Sequence, residues 1–520
     1  METWFLVICT LCVCALLKSL INILVPHRKI NENKLPPSGP KVPLIGNLWL
    51  LRKSFSDIEL ILRDLKNKKG PIFTFWFSSN PAIFISSHSL AHKALVQNGS
   101  VFSNRPKAPP ISKVFGSNQH NISSASYGPT WRILRRNLTS EILHPSRIKS
   151  YSSARKWVLE IIVGRLKTMS HEPVKVMDHF QYAMFCLLAL MSFGDKLDEN
   201  QIKKIEDIQR NMLLKFGGLN LLNLFPKLGK IIFRKKWKAL LQLRQDQEDV
   251  LVPLIEARIE AKRRNNEGKN FEGNIVAYVD SLVDLQLPDE KRKLNMGEIV
   301  SICSEFLNAG TDTTATALQW IMANIVKFPE IQEKVYKEIS QVVGGAQLED
   351  GFVSEEDLQK MPYLKAVVLE ALRRHPPGHF VLPHSVSEEV EFEGYVIPKN
   401  GTVNVMVAEL GWDPNVWEKP MEFKPERFLN SSNNLDHEGF DITGSREIKM
   451  MPFGAGRRIC PGFSLALLHL EYFVANLVWC FKWEPVDGDT SSVDLSEKQE
   501  FTVVMKNPLQ ARIFPRVQSA

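Results

Sequence analysis

Hydrophobic residues recur with a helical period through most of the chain from about residue 130 onward. Amphipathic helices are predicted at residues 157–166 and 239–264, followed by a polar loop at residues 263–268. A longer helical pattern covers residues 298–327, and Phe328-Pro329 ends it. Short runs rich in aromatic and β-branched residues predict strands at 72–77, 82–85 and 390–397. The pattern therefore predicts a mainly α fold with a small β region.

The amino-terminal segment is long and apolar enough to cross a membrane. Residues 4–25 are apolar except for Thr10, Lys18, Ser19 and Asn22, and such a length spans a bilayer core at ~1.5 Å per residue. Basic residues follow the stretch, which places the rest of the chain in the cytosol. The alternative is a cleaved signal peptide, but a basic region before the stretch and a convincing cleavage site are both lacking. We expect residues 1–25 to form one transmembrane anchor.

The prolines at 36, 37 and 40 favour a stiff, extended segment after the anchor. Residues 26–40 are accordingly predicted to be a Pro-rich linker between the membrane and a globular body. No internal repeat divides the remainder, so residues 41–520 are predicted to form a single domain.

Composition narrows the class of protein. The 520 residues are 44% hydrophobic and 23% charged, which is typical of a globular chain and excludes a disordered or collagen-like one. The formal net charge of +8 is mildly basic. Three of the seven cysteines lie in the apolar amino-terminal stretch, and the four in the body are scattered without a CxxC spacing, which indicates neither a disulfide framework nor a structural zinc site. Because GxGxxG after a strand and GxxxxGK[ST] are both absent, nucleotide-binding classes lose their main support.

The segment 453–462, FGAGRRICPG, carries the clearest chemistry. Its glycines, including Gly456, permit tight turns that aim backbone N–H groups at the sulfur of Cys460, and such donors stabilise a thiolate. Phe453 supplies an apolar cover for the sulfur, and Arg458 supplies a positive fork for a carboxylate. The alternative is a buried core cysteine after a Gly-rich turn.

At every fixed position this segment matches FxxGxRxCxG, the cysteine-ligand loop of the cytochrome P450 haem-thiolate monooxygenases, and the chain resembles that family. The resemblance implies a triangular-prism helical body around haem b, with Cys460 as the axial ligand of the iron. Segment 378–384, GHFVLPH, is most similar to family 89 of the plant cytochromes P450.

A second motif lies inside the long predicted helix. Residues 309–314, AGTDTT, match the family's oxygen-activation motif. Thr313 is placed to bond the carbonyl of Ala309 and open the helix locally. The resemblance implies that Thr313 and Asp312 deliver protons during oxygen activation, while Ala309 and Gly310 flank the haem. A small-residue helix crossing is the alternative.

The resemblance also assigns residues that hold the haem propionates. Trp131 and Arg135 lie one helical turn apart and match the family's WxxxR pair. His384 stands where the family commonly has an arginine, so its contact with a propionate is left open. Glu370, Arg373 and Arg427 match the ExxR and PERF segments, for which a structural role is expected.

Function follows from the resemblance as an expectation. The family inserts one atom of O2 into a lipophilic small molecule, here a plant metabolite, with electrons from NADPH through a separate FAD- and FMN-containing reductase. The expected location is the endoplasmic reticulum membrane with a cytosolic catalytic domain, and no nucleic-acid partner is expected. The alternatives are a reductase-independent haem-thiolate isomerase or dehydratase and a non-catalytic haem-binding membrane protein. The Asp312–Thr313 pair argues against the isomerase, which has no need of proton delivery.

Overall fold

The computed structural model describes residues 4, 10, 34–39, 53–77, 80–169, 172–215, 222, 229–266, 275–344, 351–429 and 440–516. The long helices in these ranges are α1 Phe55–Lys69, α2 Pro129–Glu141, α3 Ser152–Thr168, α4 Val176–Phe193, α5 Glu199–Lys215, α6 Arg234–Asn266, α7 Met296–Lys327, α8 Pro329–Val343, α9 Pro362–Arg374 and α10 Phe463–Cys480. Shorter helical segments are His88–His92, Lys93–Gln97, Gly99–Phe102, Pro110–Phe115, Pro145–Ser150, Gly229–Ile232, Tyr278–Leu282, Asp357–Lys360, Val407–Gly411, Pro425–Phe428, Gly456–Arg458 and Thr490–Ser492.

The strands are short and belong to several small sheets. They are β1 Ile72–Phe77, β2 Asn80–Ile85, β3 Val174–Lys175, β4 Gln286–Leu287, β5 Arg292–Lys293, β6 His384–Ser385, β7 Val390–Phe392, β8 Tyr395–Ile397, β9 Thr402–Val405, β10 Phe481–Pro485, β11 Glu497–Gln499, β12 Val503–Met505 and β13 Gln510–Pro515. The largest sheet has the order β1-β2-β9-β6, in which β2 and β9 are parallel and the other pairs antiparallel. A second sheet has the order β10-β13-β3, and β4-β5, β7-β8 and β11-β12 are two-stranded. The prediction of a mainly α fold with a small β region is confirmed.

Three helices form the centre of the hydrophobic core. Almost every residue of α4 is buried, and α7 and α10 bury most of theirs, so these helices contact neighbours on all sides. In the described part of the chain, α4 and α10 are long and apolar enough to span a membrane, but 89% and 67% of their residues are buried inside the protein. Both are therefore core helices. The predicted anchor, residues 1–25, lies outside the described residues except for Trp4 and Thr10.

Helix α7 agrees closely with its predicted range. A reciprocal cap starts it, because the Asn295 side chain accepts from the Glu298 N–H at 2.9 Å while the Glu298 carboxylate accepts from the Asn295 N–H at 2.8 Å. The helix begins at Met296 and ends before Phe328-Pro329 as predicted. The predicted strands are also present, and Gly394 lies in the turn between β7 and β8.

Two predicted boundaries change. Helix α6 continues to Asn266, so the prediction that a loop begins at residue 263 is wrong. Arg264 pairs with Glu260 one turn earlier at 3.1 Å, which supports a helical end. Residues 36–39 of the predicted linker pack on β1, where the Thr74 N–H and hydroxyl donate to the carbonyls of Pro37 and Pro36 at 2.9 Å each. This part of the segment is attached to the globular domain, because its backbone is paired.

Candidate active site

The loop that precedes α10 turns sharply before Cys460. Gly454 and Gly456 have φ of +72° and +67°, a region that side-chain-bearing residues rarely adopt. The Cys460 N–H donates to the carbonyl of Phe453 at 2.8 Å and closes the loop. A Cβ on Gly456 would lie 2.0 Å from the carbonyl oxygen of Leu95. Glycine at 456 is therefore required both by conformation and by the close approach of the two backbones.

Two groups stabilise negative charge on the sulfur of Cys460. Withdrawal from water raises the pKa of this thiol, and the N–H of Gly462 and the guanidinium of Arg135 act in the opposite direction. Gly462 has φ of −93°, so it needs no glycine-specific conformation, unlike the two glycines before it. The Gly462 N–H and the charge of Arg135 thus both favour the thiolate form of Cys460 against the effect of burial.

Arg458 projects from the same loop into a set of backbone carbonyls. Its Nε donates to Ser103 at 2.8 Å, Nη1 to Ile122 at 3.1 Å and Nη2 to Ala125 at 2.6 Å. The guanidinium lies 4.5 Å from the ring centroid of Trp131. Because a guanidinium has five N–H donors, Arg458 keeps two for a further acceptor.

A basic cluster is formed by Arg458, Arg105 and Arg135, whose positive charges act on one another. Burial, together with the charges of Arg105 and Arg135, lowers the pKa of Arg458 to about 9. Burial lowers the pKa of Arg105 to about 10, and the charge of Glu305 opposes that shift. Three guanidiniums with so little compensating charge favour the binding of an anion.

Trp131 adds an unused donor to this basic cluster. Its indole Nε1 is buried and has no hydrogen-bond partner among the described residues. Buried donors are normally paired. Trp131 and Arg135 share a face of α2, as predicted, and the indole N–H is available to an acceptor brought by a ligand.

His384 lies beside the basic cluster, but its ring N–H donates to a backbone carbonyl. Its Nδ1 is 2.7 Å from the carbonyl of Phe102, so Nδ1 carries the proton. Burial and the charges of Arg105 and Arg458 lower the pKa of His384 to about 3. In this neutral form its Nε2 accepts rather than donates, which makes it a poor partner for a carboxylate.

No motif in the sequence predicts Arg105, which the structure adds to the site. Its Nε donates to Ser123 at 2.7 Å, and its Nη1 to Leu382 at 2.7 Å and Pro383 at 3.0 Å. The residue thus joins the segment before α2 to the strand that carries His384. An isolated arginine before a proline has no periodicity or spacing that separates it from a surface residue.

Glu305 is the second residue that the sequence does not predict. Its carboxylate on α7 accepts from the N–H groups of Ile122 and Ser123 at 2.8 Å and 2.7 Å. Burial raises its pKa, and these donors oppose the shift. Because Ile122 also accepts from Arg458, Glu305 fixes one wall of the basic cluster.

Helix α7 carries the predicted threonine contact. The Thr313 hydroxyl donates to the carbonyl of Ala309 at 2.6 Å, as predicted. The predicted local opening is wrong, since α7 is continuous from Met296 to Lys327. A carbonyl has two lone pairs and can accept the hydroxyl without releasing a backbone partner.

The small residues of α7 face different surroundings. Ala309 is exposed, although most of α7 is buried. A Cβ on Gly310 would lie 2.4 Å from Cδ1 of Leu188, on α4. Gly310 therefore permits a close helix crossing, the alternative that its sequence left open.

Burial raises the pKa of Asp312, whose carboxylate accepts from the Thr502 hydroxyl at 2.8 Å.

Glu370, Arg373 and Arg427 form the predicted network. Arg373 donates to both carboxylate oxygens of Glu370 at 2.7 Å and 2.8 Å, and Arg427 donates to one of them at 3.0 Å. The side chains of Glu370 and Arg373 are completely buried. Arg373 also donates to the carbonyls of Gly411 and Pro420. The network ties α9 to the chain ahead of the cysteine loop.

These features fit a haem. The thiol has an N–H donor and a nearby cation, as a thiolate ligand requires. The basic cluster has spare guanidinium donors and an unpaired indole N–H, as two carboxylates would require. Together the fold and this site define a helical protein built to hold an anionic planar cofactor through one sulfur.

Comparison with known proteins agrees with this class. The family model described as Cytochrome P450 matches residues 36–513. The chain is 52% identical to Cytochrome P450 89A9 of Arabidopsis thaliana, over 94% of each chain. It is 31% identical to Isoflavone 2'-hydroxylase of Glycyrrhiza echinata, over 95% of this chain and 94% of the relative, and 29% identical to Sarpagan bridge enzyme of Gelsemium sempervirens, over 91% of each.

The chain belongs to the cytochrome P450 family and is a haem-binding monooxygenase. The predicted likeness to family 89 of the plant cytochromes P450 is confirmed. A redox partner and a small-molecule substrate follow from membership of the family.

Proposed function

We propose that this protein is a membrane-anchored haem-thiolate monooxygenase of the endoplasmic reticulum that hydroxylates a lipophilic plant metabolite. Electrons come from NADPH through a separate FAD- and FMN-containing reductase. The balanced reaction is RH + O2 + NADPH + H⁺ → ROH + H2O + NADP⁺. The observation that carries the proposal is the Cys460 thiol, with its N–H donor and neighbouring Arg135, beside a basic cluster that has too few anions.

Bound haem supplies the iron that activates O2, and thiolate donation favours O–O cleavage. In our proposal the Cys460 sulfur holds the iron, and the Gly462 N–H and Arg135 stabilise its charge. Phe453 packs against Phe463 with ring centroids 6.3 Å apart and is assigned the role of an apolar cover for the sulfur. Gly456 allows the loop to approach the Leu95 backbone and so sets its position.

The propionates are assigned to the basic cluster. Arg458 and Arg135 offer guanidinium donors, Trp131 offers its unpaired indole N–H, and Arg105 adds positive charge. His384 is not assigned a hydrogen bond to a propionate, since its Nδ1 proton is bound to Phe102 and its Nε2 only accepts.

Proton delivery is assigned to Asp312 and Thr313. The Thr313 hydroxyl is oriented by the Ala309 carbonyl, and the raised pKa of Asp312 brings its carboxyl closer to the working pH, which suits a group that must gain and lose a proton. Ala309 is small and exposed, so its face of α7 is assigned the wall next to the haem, whereas Gly310 serves the crossing with α4.

Reductase binding is assigned to an exposed basic surface. Arg132 and Arg457 lie 5.1 Å and 5.3 Å from the ring of Tyr127, and Arg136 and Lys449 are exposed as well. Such a surface suits an acidic flavoprotein and makes association dependent on ionic strength.

Membrane attachment is assigned to residues 1–25. Support comes from their apolar composition and from the exposed Ile231 and Ile232, at 75% and 58% exposure, in the short helix Gly229–Ile232. The apolar residues that follow do not all face solvent, because Phe233 and Trp237 pack against a buried cluster that includes Ile111. Removal of residues 1–25 is expected to shift the protein toward the soluble fraction without loss of haem.

The test is reconstitution of the full chain in vesicles with plant P450 reductase and NADPH. Lipophilic plant extracts are screened for compounds that change the haem spectrum, and each compound found is then incubated under ¹⁸O2. We expect one ¹⁸O atom per product and no product without reductase or NADPH. Equal turnover without them would favour the isomerase or dehydratase. Binding of such compounds without any product would favour the non-catalytic alternative.

A further inference from the structure

The carboxylate of Asp312 is held by a residue from a distant part of the chain. The Thr502 hydroxyl lies 2.8 Å from Oδ2 of Asp312 and 3.0 Å from the Thr316 hydroxyl. Thr502 and Thr316 are 3% and 1% exposed. No motif identified in the sequence includes Thr502, which follows β11 at the tip of the β11–β12 hairpin.

The number of hydroxyl hydrogens determines which group donates in each of these two hydrogen bonds. A threonine hydroxyl has one hydrogen to donate and accepts through its lone pairs. An ionised Asp312 only accepts, so Thr502 donates to it and the Thr316 hydroxyl donates to Thr502. The carboxylate is therefore the end of the chain, and its ionised form is the one that Thr502 stabilises.

The hairpin tip is clamped to α7, which makes the Thr502 position well defined. Trp320 Nε1 donates to the carbonyl of Val503 at 2.8 Å, and the Val503 N–H donates to the carbonyl of Pro377 at 2.9 Å. The contacts on α7 are at 312, 316 and 320, which are four residues apart and share one face.

Asp312 also borders a surface cleft of about 250 Å³. Exposed Leu214 and Phe501 lie on its walls. The positive charge of Arg210 favours the ionised form of Asp312, and the negative charge of Glu500 disfavours it. The charged residues that border the cleft with Asp312 are Lys175, Asp178, Arg210, Lys498, Glu500 and Lys506. Asp312 thus lies between solvent-facing charges and Thr313, its neighbour in the chain.

We propose that Thr502 is a positioning residue that holds the Asp312 carboxylate between this cleft and Thr313 and thereby sets proton supply to the site. The inference rests on the proposed function of Asp312. In each transfer one proton from water in the cleft binds Oδ1 or Oδ2 of Asp312, and the same carboxyl then releases one proton toward the Thr313 hydroxyl. Asp312 is unchanged after each transfer, and no electron moves through it.

The test begins with the ferric holoprotein, without substrate or reductase. Infrared difference spectra across a pH titration follow the carboxylic C=O band of Asp312, which is identified by its loss in Asp312→Asn. We expect Thr502→Val to raise the titration midpoint by about one pH unit, because a hydrogen bond to the ionised form is lost. Thr502→Ser is expected to restore the midpoint. Should Thr502→Val fold poorly, Thr502→Ala removes the same hydroxyl without a new methyl group.

A second arm uses the reductase and NADPH without added substrate, where O2 + NADPH + H⁺ → H2O2 + NADP⁺. We expect Thr502→Val to raise the solvent deuterium isotope effect on NADPH consumption and move the acid limb of its pH profile upward, with recovery in Thr502→Ser. A midpoint and isotope effect equal to those of the unmodified protein would overturn the proposal. Absence of NADPH consumption in the unmodified protein would count against the proposed function instead, since the infrared titration tests Thr502 without reductase.

Discussion

At the scale of single residues, the surroundings of Cys460 differ from those of the three other cysteines that the structure describes. Burial raises the pKa of Cys186 and Cys480 to about 11 and of Cys303 to about 12, and these three lie within helices. Cys460 lies in a loop, where burial also raises the pKa of its thiol, but the Gly462 N–H and the charge of Arg135 oppose that shift. Both features favour a thiolate, the form that binds metal.

We expect Cys460→Ser to abolish haem binding, because a serine hydroxyl is a far weaker ligand for iron than a thiolate. The measurement is the haem absorbance and the carbon monoxide difference spectrum of purified protein. Cys480→Ala, at another buried cysteine, serves as the control and should retain both. Haem at normal stoichiometry in Cys460→Ser would contradict the assignment.

The unpaired indole of Trp131 gives a second test. Trp131→Phe keeps a ring beside Arg458 but removes the N–H, and we expect haem to dissociate about tenfold faster, as the loss of one hydrogen bond to a charged group predicts. Haem transfer to apomyoglobin measures the rate. Trp412→Phe is the matched control, since Trp412 Nε1 already donates to Arg374 at 2.9 Å. Equal rates in the two variants would remove Trp131 from the propionate site.

At the scale of elements, the cysteine loop depends on its contact with a neighbouring backbone. Gly456 combines positive φ with a Cβ position 2.0 Å from the Leu95 carbonyl. Gly488 has a similar φ of +78°, but nothing lies within 4 Å of its Cβ position. A side chain at 488 would therefore cause backbone strain alone, whereas a side chain at 456 would cause the same strain and a steric clash.

We expect Gly456→Ala to displace the loop, reduce haem content and lower the free energy of unfolding by more than about 2 kcal/mol. Gly488→Ala should lose only about 1 kcal/mol from backbone strain. Urea unfolding and haem quantification measure both. A loss of stability no greater than that of Gly488→Ala would show that the loop has room for a side chain.

The ion-pair network of Glu370, Arg373 and Arg427, which ties α9 to the chain ahead of the cysteine loop, is expected to stabilise the fold. Among the residues that the structure describes, Glu370 is the carboxylate that pairs with both Arg373 and Arg427, so removal of its charge leaves these guanidiniums without that counter-ion. We expect Glu370→Gln to lower the free energy of unfolding by about 3 kcal/mol or more. Asp64→Asn, which breaks the exposed pair with Lys68, should change it by less than about 0.5 kcal/mol. Similar urea midpoints for the two variants would show that the network contributes little.

At the scale of the whole molecule, a buried carboxyl on α10 makes stability depend on pH. Burial raises the pKa of Glu471 to about 7, above the ordinary glutamate value of about 4.3. The folded protein therefore holds this proton more tightly than the unfolded chain does. The cost of burying the ionised carboxyl is absent below the ordinary pKa, grows as the pH rises toward 7, and is constant above it.

We expect Glu471→Gln to stabilise the protein by about 2 kcal/mol more at pH 8 than at pH 5. Urea unfolding of the holoprotein at the two pH values measures the difference. Glu356→Gln, at a carboxyl with 86% side-chain exposure, is the control and should show no such difference. A benefit independent of pH would mean that Glu471 titrates at its ordinary value.

Local elements of the fold could be predicted because their signals are contiguous. The periodicity of α7 and the Phe328-Pro329 stop both lie within a few residues of the structure that they determine. The packing of residues 36–39 was not predictable in this way, because it depends on β1, a strand more than thirty residues further along the chain.

The sequence by itself determined the family, through the spacing of Cys460, Arg458 and the glycines of one loop and through the order of the other motifs. Only the tertiary structure placed Arg105, Glu305 and Thr502 at the site. Each of these acts through partners far away in the chain, and burial and pairing with such partners arise only when the core has formed. A short motif determines which atoms the loop offers, whereas long-range packing decides which charges and hydrogen-bond donors surround them.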